Sequence, residues 1–421
     1  MFKYCELRSQ QLCVECLSRD MYVIFMKLRR FDVLVIGGGL AGITATHRLL
    51  ESGFDVILFD QGLPDARGQL GGFAKFSGAK FSRLPAGQGL IPVAGSRSKL
   101  EETTDLVWSF LGFQRSGSDP QTRDCEEVEI IDGLTLRNYE SLVLAPTEID
   151  ELLERVGRVI RSRGQVKASR IINLAHRNDI WHAEDSDQVE YSAPYVIYAG
   201  GRSGEDLLVA AGATAQTGKG VDLGVRVEFD DKRAVSALRA FGPDAKLLFG
   251  RARTFCLNSP GRVYRYNFQD ISIPGGIVAN DDHAQANVGL LLRTAPRLQI
   301  LDQARRRLQD HSTYMNSPLV RGSPFQDKAT LIERVYGSSV AEQLVDFAQV
   351  LGDSGMILWD FPHRVHFPLI DWHWNTYAIG VTHDTSLPGL KVVGDCAGHA
   401  RGLLQAAVSG WLAADEIARN D

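Results

Sequence analysis

The chain has 421 residues, of which 44% are hydrophobic and 23% charged, with a formal net charge of -5. Its length suits two interlocked domains, each with a core of its own. The acidic balance argues against a broad nucleic-acid surface, and no apolar run reaches the roughly 18 residues that span a bilayer.

Three of the six cysteines, Cys5, Cys13 and Cys16, crowd into the first segment, where CVEC forms a CxxC. No second pair completes a metal site, so no metal is expected. Residues 1–30 lack the layout of a signal peptide and are expected to form a poorly ordered leader without a catalytic role. The compartment is then the reducing cytoplasm.

From Phe31 the chain reads FDVLVIGGGLAGITATHRLLESGFDVILFDQG. The apolar run Val33–Ile36 predicts a buried parallel strand. Gly37, Gly39 and Gly42 follow it as G-x-G-x-x-G, Leu40 and Ala41 open a helix, and Gly53 stops it. A second strand, Val56–Phe59, ends on Asp60, at the offset where a dinucleotide fold places its ribose-binding acid. In such a fold Gly37 makes the tight turn, Gly39 admits a pyrophosphate and Gly42 lets helix and strand pack closely. The helix N-terminus offers free N–H groups to the phosphates. This unit is specific for a dinucleotide but does not by itself separate NAD from FAD.

After Asp60 and Gln61, a loop rich in glycine and basic residues places Arg67 and the pair Gly71-Gly72 beside the phosphates. The near-repeat AKFSGAKFS alternates like a strand, with Lys75 and Lys80 as solvated lysines or, alternatively, one of them near a cofactor's reactive ring. Thr147 and Asp150 approximate a capping box for a helix whose apolar stripe runs from Ile149 to Ile160. Three strand-like runs follow, VKASRIINL, DIWHAE and QVEYSA. Next comes YVIYAGGRSG, a strand running into a glycine turn at Ala199, Gly200 and Gly201.

Residues 212–385 change character, with mixed strands such as GVRVEF and ANVGLLLR and helices near Leu298–Asp310 and Val340–Leu351. No second G-x-G-x-x-G follows a strand there. The tail LPGLKVVGDCAGHARGLLQAAVSGWLAADEIAR then reads as strand, turn and a long helix from about Gly402. The strand returns to the first domain and the turn lies along an extended cofactor. NAD needs no such return, whereas the ribityl chain and ring of FAD project well beyond the pyrophosphate. FAD is therefore the expected cofactor. Gly394 and Asp395 approach the ribityl side, and Gly402, Leu403 and Leu404 aim helix N–H groups at the flavin edge. Cys396 and His399 then fill a flavin turn and do not form a reactive or metal-binding pair.

The chain resembles the flavoproteins of the glutathione-reductase class, and more narrowly the FAD-dependent, NAD(FAD)-utilising dehydrogenases. The resemblance runs from Phe31 to the end and rests on VDLGVRVEF, RTFCLNSPGRV, the FSGAKFS loop with Lys80, and GDCAGHARGLLQAA. The terminal turn is also similar to that of aromatic-ring hydroxylases, but their Pro and Gly-x-Gly are missing. The resemblance implies FAD and redox chemistry and leaves the substrate unnamed.

The expected architecture is α/β. A Rossmann-like FAD-binding domain, with a parallel sheet and a three-stranded β-meander, spans residues 31–211 and returns at 386–421. A mixed α+β substrate domain is inserted at 212–385. The expected function is hydride transfer between a small-molecule substrate and flavin N5, with an external electron donor or acceptor as a further partner. A tRNA-modifying flavoprotein, an FAD-dependent monooxygenase or oxidase, and an inactive flavin-holding scaffold are the alternatives. Lys80, Cys256 and His283 are the catalytic candidates, with Arg262, Tyr264, Arg265, His366 and His373 also in the substrate domain. The stretch WDFPHRVHFPLIDWHWN, with His363 and three tryptophans, reads as an aromatic pocket wall.

Overall fold

The computed structural model describes residues 28–62, 68–114, 127–202, 205–216, 220–268, 271–295, 329–372 and 374–420, with short pieces at 302–303, 306–307 and 314–317. Cys5, Cys13, Cys16, Arg67 and His373 lie outside the described residues, as does most of the helix expected near Leu298–Asp310, whose described pieces are helical.

Two apolar runs of four, Val33–Ile36 and Val56–Phe59, are wholly buried and form neighbouring parallel strands. They belong to a five-stranded parallel sheet in the order Leu390–Val392, Tyr195–Tyr198, Val33–Ile36, Val56–Phe59, Gln165–Lys167. Helix Leu40–Glu51 follows the first strand, and Ser52 and Gly53 close it as expected. The C-terminal helix Leu403–Asn420 lies against it so closely that a Cβ at Gly410 would collide with the Ala41 carbonyl. This is an α/β Rossmann-like fold. The three-stranded meander is present as Ile171–Arg177, Ile180–Asp185 and Glu190–Ala193. Leu28–Arg30, inside the expected leader, pairs in parallel with its last strand.

The run VKASRIINL divides between two sheets. Gln165–Lys167 pairs with Val56–Phe59, a turn bonds Ser169 N to Lys167 O, and Ile171–Arg177 starts the meander. The helix expected to start at Thr147 instead covers Pro146–Arg163. Glu148, not the Thr147–Asp150 pair, caps it by accepting from the Ala145 N–H at 2.7 Å. Proline at the first helical position has no N–H to cap, so only the N–H groups flanking it need partners.

The rest is built on an eight-stranded antiparallel sheet. Its centre is Asp222–Phe229, between His363–Asp371 and Ala286–Arg293. Leu134–Arg137 and Val128–Ile131, which precede residue 212, extend this sheet, the first pairing with Lys246–Phe249 and the second with the first. Helices Ala329–Tyr336 and Ser338–Asp353 bury their apolar faces on it. The HRVH run is sheet and not helix: Pro362 and Pro368 lie on either side of it, and it pairs with Asp222–Phe229.

One buried group gives the fold a pH dependence. His383 is fully buried at φ 70°, and neither ring nitrogen has a partner among the described residues. Burial first, then the Lys391 and His399 cations, pull its pKa from 6.5 down to about 3. The folded state thus holds the neutral ring. This favours folding fully above the unfolded value, and the advantage is lost as pH falls toward about 3. Urea unfolding of the wild type should lose up to about 1.4 kcal/mol per pH unit below about pH 6.5. His383→Asn, which tolerates the left-handed backbone, should remove that slope. An equal slope in the variant would assign the effect to other groups.

Candidate cofactor and substrate site

The glycine turn stands at the C-terminal end of the central strand, where open α/β sheets receive ligands. Gly37 has φ 108°, and a Cβ there would strike the Ala199 carbonyl. Gly42 packs so tightly on Gly37 that its own Cβ would overlap the Gly37 carbonyl oxygen. At Gly39, by contrast, a Cβ would meet no atom within 4 Å. Leu40 and Ala41 turn their side chains into the core, which leaves backbone N–H groups of the first turn facing outward. Close contacts at the first and third glycines and open space at the second are what a pyrophosphate requires.

Asp60 sits against this turn. Its carboxylate accepts from Gly38 N and Gly62 N, each at 2.5 Å, and Gln61 beside it is exposed. Burial raises the Asp60 pKa, while the two N–H donors oppose the rise. A cleft of about 340 Å³ opens here, lined by Asp60, Gln69, Leu70, Arg161, Val166 and Ala168 among others. Its position beyond Asp60 suits the adenosine half of a dinucleotide. Sequence reading missed Val166, Ala168 and Arg161, because only the pairing of Gln165–Lys167 with Val56–Phe59 brings them to Asp60.

Three further segments converge on the same turn. Gly71 N donates to Gly38 O at 2.7 Å, and a Cβ at Gly72 would lie 3.2 Å from Gly39 Cα. Ala199 N bonds Ile36 O at 2.7 Å, leading Gly200 and Gly201 past the glycines. Val393 N bonds Tyr198 O at 2.9 Å, and Gly394 N is held by Ser409 Oγ at 2.9 Å. The Cys396 thiol donates to the Gly201 carbonyl and is buried, so it fills the turn as expected. Gly402 is exposed at the start of the C-terminal helix, Leu403 is half-buried and Leu404 is buried.

Asp395 is anchored through one carboxylate oxygen. Its carboxylate takes Arg202 Nε at 2.9 Å, and its backbone oxygen accepts from Trp374 Nε1 at 3.2 Å. Arg202 belongs to a charge cluster between the terminal turn and the large sheet. Asp371 is buried and takes both Arg401 Nη atoms at 2.8 and 3.0 Å, with Arg253 at 3.6 Å and Arg202 at 3.9 Å. Burial alone would raise its carboxyl, but Arg401, Arg202 and Arg253 outweigh it and hold the pKa well below the carboxylate range. Two of these arginines flank recognised motifs, GGR and RGLL. The glycines drew attention there and the neighbouring cations did not.

Of the catalytic candidates, Lys80 and Cys256 come together and His283 stands apart. The AKFSGAKFS repeat is not one strand. Lys75 lies in a turn and pairs with Asp150 at 2.9 Å, while Lys80 begins the short strand Lys80–Ser82. The reason is local, since Lys75–Gly78 is a turn that follows the short helix Gly72–Ala74 and ends on a glycine. Lys80 Nζ donates to the Leu257 carbonyl and lies 4.0 Å from Asp244 Oδ1. Burial lowers its pKa, opposed by Asp244. Cys256 has φ 43° at an irregularity in strand Ala252–Asn258. His283 lies in a surface turn with its ring on Gln285 at 3.1 Å.

The remaining residues are mostly structural. Arg265 bonds Ser272 in its hairpin and the Phe367 carbonyl at 3.1 Å, Arg262 is exposed, Tyr264 stacks on Phe76 at 4.6 Å and His366 pairs with Glu228 at 3.0 Å. Among the described residues no cluster of His, Cys, Asp and Glu could hold a metal, and no helix is long and apolar enough to cross a membrane.

Comparison with known proteins agrees with the geometry of the glycine turn. The family model described as an FAD binding domain matches residues 32–77. No curated protein matches the chain. Among solved structures, a geranylgeranyl bacteriochlorophyll reductase-like protein from Thermoplasma acidophilum is 14% identical with a TM-score of 0.46, covering 93% of this chain and 79% of that one. A flavoprotein/dehydrogenase from Cytophaga hutchinsonii is 13% identical at 0.43, covering 93% and 78%. CtdE, solved in complex with FAD, is 14% identical at 0.39, covering 91% and 83%. With that domain match lying over the glycine turn, residues 32–77 form an FAD-binding domain and FAD is the cofactor of the chain.

Proposed function

We propose that this flavoprotein is a cytoplasmic dehydrogenase or reductase of the glutathione-reductase class, acting on a small molecule held between the terminal turn and the eight-stranded sheet. The observation that carries this reading is the convergence of the glycine turn, Ala199–Gly201 and Gly394 on one edge, with Arg202 and Arg401 facing the sheet from that edge. Bound FAD supplies the hydride transfer, and the chain supplies binding, orientation and charge.

Within this reading Gly37, Gly39 and Gly42 seat the pyrophosphate, Asp60 and the cleft beside it take the adenosine, and the N-terminal turn at Gly402–Leu404 faces the ring. Lys80 is the proposed proton-handling residue. Burial of its ammonium outweighs the opposing pull of Asp244, so deprotonation costs less than for a solvated lysine. Cys256 lies beside it as a small neighbour, and His283 is assigned no step. Lys80→Met keeps the apolar stem and removes the proton site. It should retain FAD while slowing anaerobic flavin reduction by substrate about 100-fold, within the range of general acid–base catalysis. An unchanged rate and pH profile would remove Lys80 from the mechanism.

A further inference from the structure

Resting on the flavoprotein reading above, we propose that the substrate is a ring-bearing organic carboxylate, received by an excess of guanidinium groups where the terminal turn meets the eight-stranded sheet. Four part-buried arginines, Arg202, Arg253, Arg293 and Arg401, converge there on Asp222, Asp371 and Asp395. Arg226, buried beneath Phe255, bonds only neutral acceptors, namely Pro274 O at 3.0 Å, Cys256 O at 3.2 Å and Asn287 Oδ1 at 2.8 Å. Five cations thus meet three carboxylates among the described residues, leaving two positive charges in excess.

Two of the three carboxylates have both oxygens taken, while guanidinium edges remain unused. Both oxygens of Asp371 are taken by Arg401, and both oxygens of Asp222 by Arg253 and Arg293. Among the described residues Arg253 donates through Nη2 alone, Arg293 leaves Nη1 unused and Arg401 leaves Nε unused. A cluster serving only to join two modules would balance its charge, because uncompensated charge in a partly dehydrated interface is costly. Unused guanidinium edges match the two-oxygen geometry of a carboxylate.

Trp372 indicates the body of the ligand. It is half-buried at φ 58°, a backbone conformation a bulky side chain rarely adopts. Trp374 stacks behind it with centroids 5.5 Å apart at 13°, and the Arg401 guanidinium lies 4.5 Å from the Trp372 ring centre. A planar apolar wall beside a cation suits a flat ring carrying an acid. Arg401 directly precedes Gly402, which puts the anion next to the turn assigned to the flavin edge.

The test is calorimetric titration of the FAD-loaded enzyme with benzoate and with benzamide, its neutral isostere, in buffer of low chloride. Benzoate should bind saturably and at least tenfold more tightly than benzamide, and added salt should weaken benzoate alone. Arg293→Gln, which leaves Arg253 on Asp222, should weaken benzoate about tenfold and leave benzamide unchanged. Equal affinities, or no saturable binding of benzoate by the wild type, would overturn the proposal whether or not the variant folds. A yellow enzyme without that preference refutes the carboxylate alone. A chain that takes up no FAD refutes the flavoprotein reading and the carboxylate proposal together.

Discussion

Gly39→Asp should bind FAD at least 100-fold more weakly than the wild type and purify colourless, while keeping the wild-type fold by circular dichroism. The new side chain has room, because a Cβ at this position meets nothing within 4 Å. The open space lies in front of the first N–H groups of helix Leu40–Glu51, where the ligand's phosphates have to sit. A carboxylate there repels the pyrophosphate and bonds the N–H groups meant for it. Juxtaposed like charges cost several kcal/mol, and each 1.4 kcal/mol is about tenfold in affinity. Gly42→Val is the contrasting variant. Its Cβ would overlap the Gly37 carbonyl, so it should lose stability as well as FAD. A yellow, stoichiometric Gly39→Asp protein would contradict the pyrophosphate assignment.

Asp371→Asn should destabilise the fold by about 3 kcal/mol or more at neutral pH, as expected when one partner of a buried pair is removed. Asp371 is 2% exposed and answers the charge of Arg401, Arg253 and Arg202 at once. Its loss leaves those cations facing one another. Because its folded pKa lies below the ordinary carboxylate value, its contribution is fully present above about pH 4. That contribution disappears only as the pH falls further. Its pH window is therefore distinct from that of His383, which acts at higher pH. Equal unfolding midpoints for Asp371→Asn and wild type would show that the cluster carries no net stability.

The dinucleotide unit was legible in the sequence because every part of it is local. A buried strand, three glycines at fixed spacing, a helix and a second strand ending in acid all fall between Val33 and Asp60. The meander was legible too, through three short strand-like runs, and the returning strand through an apolar run ending in glycine. The adenosine cleft was not, since Val166 and Ala168 reach Asp60 only through strand pairing more than a hundred residues away in sequence. The arginine cluster was hidden for the same reason. Its members come from the glycine turn, three strands of the large sheet and the start of the last helix. Of the substrate-domain candidates Arg262 and Arg265, the first is exposed and the second bonds Ser272 in its own hairpin and the Phe367 carbonyl. Lys75 and Lys80 belong to identical tetrapeptides, yet the first is a turn residue with its side chain 35% exposed and the second a strand residue at 12%. Tertiary context, not local pattern, sets that difference.

The most direct measurement is the visible spectrum of the purified protein, followed anaerobically during addition of NADPH and then of a chemical reductant. The two-band absorbance of oxidised flavin should be present at one FAD per chain. It should persist with NADPH, since no second strand-linked glycine fingerprint is present in the sequence, and bleach with the reductant. A colourless chain that fails to take up FAD on reconstitution would contradict the account at its root.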